Sequence, residues 1–196
     1  MSHILMCVKE KKMNYYIDVI IQPNDEIRLN VLLNSVYTNF HKVLFDLRST
    51  SIGISFPRYK ITLGNIMRIH AQQVELNIFQ DSNWLGSISP FCKVTNILEV
   101  PQNTKFRTIS RKQSTMSQSK LNRLIKRGSI KEDEIINYKT KMFSKGLDDP
   151  YIELQSGSNG HKHRRYLEFG ELLSSAIEGR FDQFGLSKSA TIPWFE

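Results

Sequence analysis

Cysteine is almost missing: Cys7 and Cys92 are the only two, and they do not form a CxxC pair. That excludes a disulfide framework and a thiolate zinc cage, and a reducing cytosol is the expected compartment. Long apolar runs are missing too. None approaches the roughly 18 residues that span a bilayer, so no membrane partner is expected. Ile4 to Val8 is too short for a signal core, and its lysines follow rather than precede it, so residues 1–12 are read as an N-terminal extension. The third absence is of one sign of charge. From Pro101 to Lys131 there is no acid, while nine basic residues occur: Lys105, Arg107, Arg111, Lys112, Lys120, Arg123, Lys126, Arg127 and Lys131. A solvated helix normally mixes both signs, and like charges left together cost stability unless an anion compensates them. With a net charge of +8, this run points to a polyanion such as nucleic acid, the plainer reading being a basic surface.

What is present is enough for one sizeable core or two small ones: 196 residues, 40% hydrophobic and 10% aromatic. Tyr15 to Ile21 is β-branched and aromatic and reads as a strand. Pro23-Asn24-Asp25 stops it and offers Asn24 or Asp25 as a helix N-cap. Leu29, Leu32, Val36, Phe40 and Val43 recur at helical spacing between Ile27 and about Phe45. Ile52, Ile54 and Phe56 alternate until Pro57, and Ile66 to Ile69 reads as a further strand. A second helix is expected over Gln72–Phe79 and an apolar strand over Val94–Val100, closed by Pro101. The order βαββαβ is that of a ferredoxin-like domain over residues 13–100. An extended basic linker follows over 101–118 and a C-terminal domain over 119–196, giving an α+β protein.

Within the basic stretch, Ser119 to Arg127 has helical composition. Lys120, Arg123 and Arg127 lie along one edge, Leu121, Leu124 and Ile125 lie elsewhere, and Gly128 ends the helix. In the extended segment before it, Arg111 and Gln113 point the same way and have the bidentate geometry that reads guanine and adenine edges; a polar linker is the alternative. Tyr151–Leu154 and His163–Phe169 read as a hairpin whose Ser/Gly/Asn tip carries Ser156 and Ser158. The returning strand sets His163, Arg165 and Leu167 against Arg164 and Tyr166. Cation, aromatic and hydroxyl together suit RNA. His161 and His163 lack carboxylate or thiolate partners at ligand spacing and are read as surface residues, so no metal or other cofactor is expected.

Several blocks in order resemble one family, the type I-F CRISPR-associated endoribonucleases that process repeat RNA. They are Phe40-His41-Lys42-Val43-Leu44, Ile52 to Pro57, Leu63-Gly64, Arg68 to Ala71, Ser110 to Gln113, Leu154-Gln155-Ser156, Gly185 to Lys188 and Pro193-Trp194-Phe195. The similarity runs from about Met13 to Phe195. It implies a ferredoxin-like N-terminal half and a basic helix that enters the major groove of an RNA hairpin. It also implies His41 as general base, Ser156 as the residue orienting the attacking ribose, and Arg111 and Gln113 as base readers. Lys112, Lys120, Arg123, Lys126 and Arg127 would bind the stem with Ser158 and Arg165, and His163 would stack on the closing pair. Partners would be CRISPR repeat RNA, the mature guide RNA and other subunits of an effector complex, in a prokaryotic cytoplasm. Two features depart from the family. Phe184 stands where a tyrosine is familiar and can only pack, and the basic helix includes Asn122 and Gly128.

The reaction such a protein would run needs a base for the ribose 2′-hydroxyl, a group holding the sugar, and cations for the phosphorane charge. An imidazole, with an ordinary pKa near 6.5, suits the first role. On residues alone, His41 reads first as a packed histidine beside the apolar stripe, near Tyr37 one turn earlier, and Ser156 as a turn hydroxyl; only the resemblance reverses this. Two rival readings stand beside the metal-independent endoribonuclease. One is a hairpin-binding subunit with little catalysis. The other is a metal-dependent nuclease using Glu132, Asp133, Asp148 or Asp149.

Overall fold

The computed structural model describes residues 13–112, 118–144, 149–155 and 160–196. It is a mixed α+β structure whose sheets are antiparallel throughout. The first half holds β1 (Tyr15–Ile21), α1 (Leu29–Leu47), β2 (Gly53–Ser55), β3 (Ile66–Ala71), α2 (Gln73–Asp81), a short 3-10 helix (Gly86–Phe91), β4 (Cys92–Val94) and β5 (Leu98–Glu99). Its sheet runs β2-β3-β1-β4, with β5 also on β1. The second half holds β6 (Lys105–Arg107), β7 (Ile109–Arg111), α3 (Gln118–Lys126), α4 (Glu132–Ser144), β8 (Tyr151–Gln155), β9 (Lys162–Phe169) and β10 (Ile192–Trp194). Here β10 pairs with β6, and β7-β9-β8 form a three-stranded sheet. No described helix is long and apolar enough to cross a membrane.

Helix α1 forms where the apolar period is strongest, and it buries Leu32, Leu33, Val36, Tyr37, Phe40 and Leu44 against the first sheet. Each such side chain contributes roughly 1.5–3 kcal/mol of burial. Asn24 does not cap the helix. Its Oδ1 accepts the amides of Glu26 and Ile27 in a turn four residues upstream, and the capping position falls to Arg28. The apolar run Val94–Val100 is divided into two short strands. Thr95 takes the Asp18 amide on its hydroxyl and donates its own amide to the Asp18 carbonyl, which interrupts the ladder on β1. Helix α3 ends as its glycine predicts: Gly128 has φ +65° and its amide returns to the Ile125 carbonyl.

The segment expected to be a linker is built into the fold. Through β6 and β7 it joins the C-terminal strand on one side and the hairpin on the other. Arg107 donates to the Gly170 carbonyl from Nε and Nη2 and lies among Tyr59, Phe169 and Trp194. Trp194 thus anchors the chain end in packing. Buried residues of both halves, from Ile17 and Phe40 to Ile152 and Leu167, form one continuous cluster.

Polar groups in that core are nearly all partnered. Arg68 on β3 holds Asp18, its cross-strand neighbour on β1, through Nε at 2.6 Å and Nη2 at 2.9 Å, and its Nη1 donates to the Phe195 carbonyl. His70, two residues on, is fully buried. Its Nε2 lies 2.8 Å from the Ser55 hydroxyl, while Nδ1 has no partner among the described residues. Burial first, then the charge of Arg68, holds the His70 pKa well below the usual histidine value. The folded protein therefore keeps His70 neutral where the unfolded chain takes up a proton, below about pH 6.5. The unfolded state binds more protons there, so stability falls with falling pH by up to about 1.4 kcal/mol per pH unit. Denaturation midpoints measured from about pH 7 down to pH 5 should fall more steeply for the wild type than for His70→Gln. Parallel curves would assign the acid sensitivity to other groups.

Candidate active site

The helix that carries the core also carries His41, one turn beyond Tyr37. Both side chains reach the loop between Phe181 and Ser187 that precedes β10. The Tyr37 hydroxyl donates to the Phe184 carbonyl at 3.0 Å, and His41 Nδ1 lies 2.8 Å from the Gln183 carbonyl. A carbonyl only accepts, so Nδ1 carries the proton and the neutral ring presents its lone pair at Nε2. Burial pushes the Tyr37 phenol up from its usual range, which keeps it a donor at any working pH.

The His41 ring stacks on Phe184, with centroids 3.8 Å apart and planes within 13°. The Arg165 guanidinium lies 3.5 Å from the same Phe184 centroid. Two groups that close cannot share one face, so Phe184 is sandwiched between the imidazole and the guanidinium. Arg165, on β9, is only 7% exposed, and burial lowers its pKa from the free guanidinium value. Sequence reasoning placed Arg165 on the face shared with Leu167, which is where it lies, but gave no sign that the face turns inward.

The loop itself is tightly specified. Asp182 Oδ1 accepts the amides of Phe184 and Leu186, and its carbonyl accepts that of Gly185. The Gly185 carbonyl accepts the Ile54 amide from β2, and the Ser187 amide donates to the Ile109 carbonyl on β7. Gly185 has φ +70°, and a Cβ there would lie 3.0 Å from Phe40 Cζ and 3.2 Å from Ile54 Cγ2. Only glycine meets both the backbone sign and the contact with the helix.

The other candidates divide. Arg111 ends β7, is exposed, and borders the same loop as Phe184. Lys112 is drawn into an ion pair with Asp149 at 2.6 Å, which also occupies one of the acids considered for a metal. Glu132 and Asp133 sit in the first turn of α4, as the helix dipole favours. Lys120, Arg123, Lys126 and Arg127 lie exposed on α3 and just past its end. His163 is exposed on β9, opposite Leu154. Ser156, Ser158, Gln113 and Asp148 lie outside the described residues. The residues that sequence reading missed are Gln183 and Asp182, which act through backbone groups or as a turn acceptor, and Arg180 and Lys188, which flank the loop. Tyr37 was visible only as a neighbour of His41 one turn away.

Residues 16–195 match the family model for CRISPR-associated protein (Cas_Csy4). The chain belongs to this family. Two relatives cover it broadly. A CRISPR-associated endonuclease Cas6/Csy4 of Escherichia coli (strain UTI89 / UPEC) is 28% identical over 184 residues, 93% of this chain and 100% of the relative. A protein of the same name from Pseudomonas aeruginosa (strain UCBPP-PA14) is 30% identical over 187 residues, with the same coverage. The span shared with the Cas_Csy4 family takes in α1, the hairpin strands and the loop that pins His41.

The seating of that loop can be tested at Gly185. Gly185→Ala meets both left-handed strain and crowding by Phe40, and unfolding free energy should fall by about 2–3 kcal/mol. Gly128→Ala, at φ +65° with open space around it, should lose only about 1 kcal/mol. Equal losses by chemical denaturation would mean that the loop does not depend on close packing against α1.

Proposed function

We propose that this protein is a metal-independent endoribonuclease that cuts CRISPR repeat hairpin RNA by 2′-hydroxyl attack. The products are a 2′,3′-cyclic phosphate and a 5′-hydroxyl, and the guide RNA stays bound within an effector complex in a prokaryotic cytoplasm. Membership of the Cas_Csy4 family and the names of its relatives support the activity. The single observation that carries the mechanism is His41, donating Nδ1–H to the Gln183 carbonyl and so presenting a basic Nε2. In this reading Nε2 takes the proton of the 2′-hydroxyl, the hydroxyl oxygen forms a bond to phosphorus as the bond from phosphorus to the 5′-oxygen breaks, and the 5′-oxygen takes a proton from water. Ser156 orients the ribose. The strand order β2-β3-β1-β4 supports reading residues 13–100 as a ferredoxin-like domain that supplies His41. Residues 119–196 supply the RNA-binding half, with 101–118 between them. Arg111 and Gln113 read bases, Lys112 and the α3 cations track phosphates, Ser158 and Arg165 support the bound strand, and His163 stacks on the closing pair.

A second reading is kept open by Phe184: with no hydroxyl at that position, the protein is a repeat-hairpin-binding subunit of low catalytic power. Cleavage of a labelled repeat hairpin in excess chelator separates the two. The enzyme reading expects cutting of the all-ribose RNA, none of a copy with a single 2′-deoxy before the cut, and a loss of about 10²–10⁴-fold in rate for His41→Ala with affinity nearly unchanged. Tight binding without cutting of either RNA would establish the binding subunit, and cutting only with added divalent ions would establish a metal-dependent nuclease.

Base reading is tested separately. Arg111→Ala should relax selectivity at one stem position by about 1–3 kcal/mol, whereas Lys126→Ala should weaken all sequences alike and reduce the salt slope by about 1. Identical behaviour of the two variants would remove Arg111 from base reading.

A further inference from the structure

Three guanidinium groups are at least partly withdrawn from solvent in this protein, and two of them are satisfied. Arg68 has the Asp18 carboxylate and the Phe195 carbonyl, and Arg107 has the Gly170 carbonyl and the Tyr59 hydroxyl. Arg165 differs. It is 7% exposed, and its buried Nε has no acceptor among the described residues. Leaving a charged donor unpaired in a desolvated place costs more than leaving a neutral one.

Arg165 lines an open cleft of about 550 Å³ beside Phe184, together with Ser110, Arg111, Arg180 and Lys188. Four cations therefore face one cleft. The acid on its wall, Asp182, already accepts two loop amides on Oδ1. The cleft is short of negative charge and holds a buried guanidinium with a donor to spare. Planar guanidinium forks and a lysine suit the non-bridging oxygens of a phosphate. His41 stands on the other face of Phe184, so a group in the cleft lies one aromatic ring away from the proposed base.

We propose that this cleft is a backbone-phosphate subsite for the RNA strand, holding a phosphate that flanks the cleaved linkage rather than the cleaved phosphate itself. Arg165 supplies the buried anchor, Arg180 and Lys188 supply the solvent-facing cations, and Arg111 borders the cleft while its fork reads a base. The assignment rests on the endoribonuclease reading above.

Arg180 and Lys188 are exposed, so Arg180→Ala/Lys188→Ala leaves the core intact, and neither residue belongs to the proposed catalytic pair. Repeat hairpins carrying one neutral methylphosphonate at each linkage near the cut are bound by the wild type and by this double variant, and dissociation constants are compared. At one flanking linkage the wild type should lose about tenfold and the double variant less than twofold, and the variant's salt slope should be lower by about 1. If every methylphosphonate costs both proteins the same while the wild type still cleaves, the subsite is overturned and the enzyme reading stands. A wild type that neither binds nor cuts the unmodified hairpin overturns both.

Discussion

The site depends on two donors of α1 reaching the carbonyls of one loop. Tyr37 and His41 are a turn apart, and the carbonyls they hold, at Phe184 and Gln183, are adjacent. The bonded residues are 147 and 142 positions apart in sequence, so everything that folds between them must deliver the loop to the helix. Gly185 against Phe40, the Ile54 amide on the Gly185 carbonyl, and the Ser187 amide on β7 are the means of that delivery. One consequence is local and chemical: a histidine with two possible tautomers is held in one. Another is architectural, since the same loop also meets β7 of the basic segment and Arg165 of the hairpin, joining both halves at His41.

Positive charge in this chain does two different jobs, and only the structure separates them. Arg68 and Arg107 hold carboxylate and carbonyl oxygens inside the fold, with aromatic rings stacked on them. Lys112 is held by Asp149 at the surface, where such a pair contributes roughly 0–1 kcal/mol. Arg111, Arg165, Arg180 and Lys188 line one cleft, where the acid on the wall, Asp182, already accepts two loop amides. A net charge of +8 thus overstates how evenly the protein attracts a polyanion. Part of the surface charge is gathered at the cleft beside the loop before β10.

Sequence pattern made much of the first half legible because α1 buries one clean stripe while β1 and β3 are apolar runs buried along most of their length. Tyr15–Ile21, the α1 stripe and Ile66–Ile69 are patterns that local physics specifies. The division of Val94–Val100 was not legible, because it depends on the Thr95 hydroxyl finding the backbone of a residue 77 positions earlier. The pairing of 105–111 into two sheets was hidden for the same reason: three-residue strands have no period of their own, and the partners of β6 and β7 come from the far end of the chain. At the site, His41 was nameable only through the family blocks. Its partner Gln183 acts through a carbonyl, a group every residue has, so no side-chain identity could announce it. Arg165 shows the reverse limit. Alternation put it on the right face of β9 but could not say that Phe184 would cover that face.

In the proposed mechanism, Phe184 in place of the tyrosine that the family resemblance implies alters what the site can lose without altering what holds His41. A phenol at that position would add a hydroxyl at the ring edge. The restraints on the imidazole act elsewhere: the Gln183 carbonyl fixes Nδ1–H, and the face of ring 184 fixes the plane. Both survive with phenylalanine. The guanidinium on the opposite face adds a cation–π attraction of about 0.5–2 kcal/mol that keeps the ring seated without an edge hydrogen bond. Orientation of His41 is therefore preserved in this chain by the Gln183 carbonyl and by a Phe184 ring that Arg165 holds on its other face, and in the proposed mechanism any catalytic deficit comes from a lost proton donor or acceptor at the reacting atoms rather than from a misplaced base.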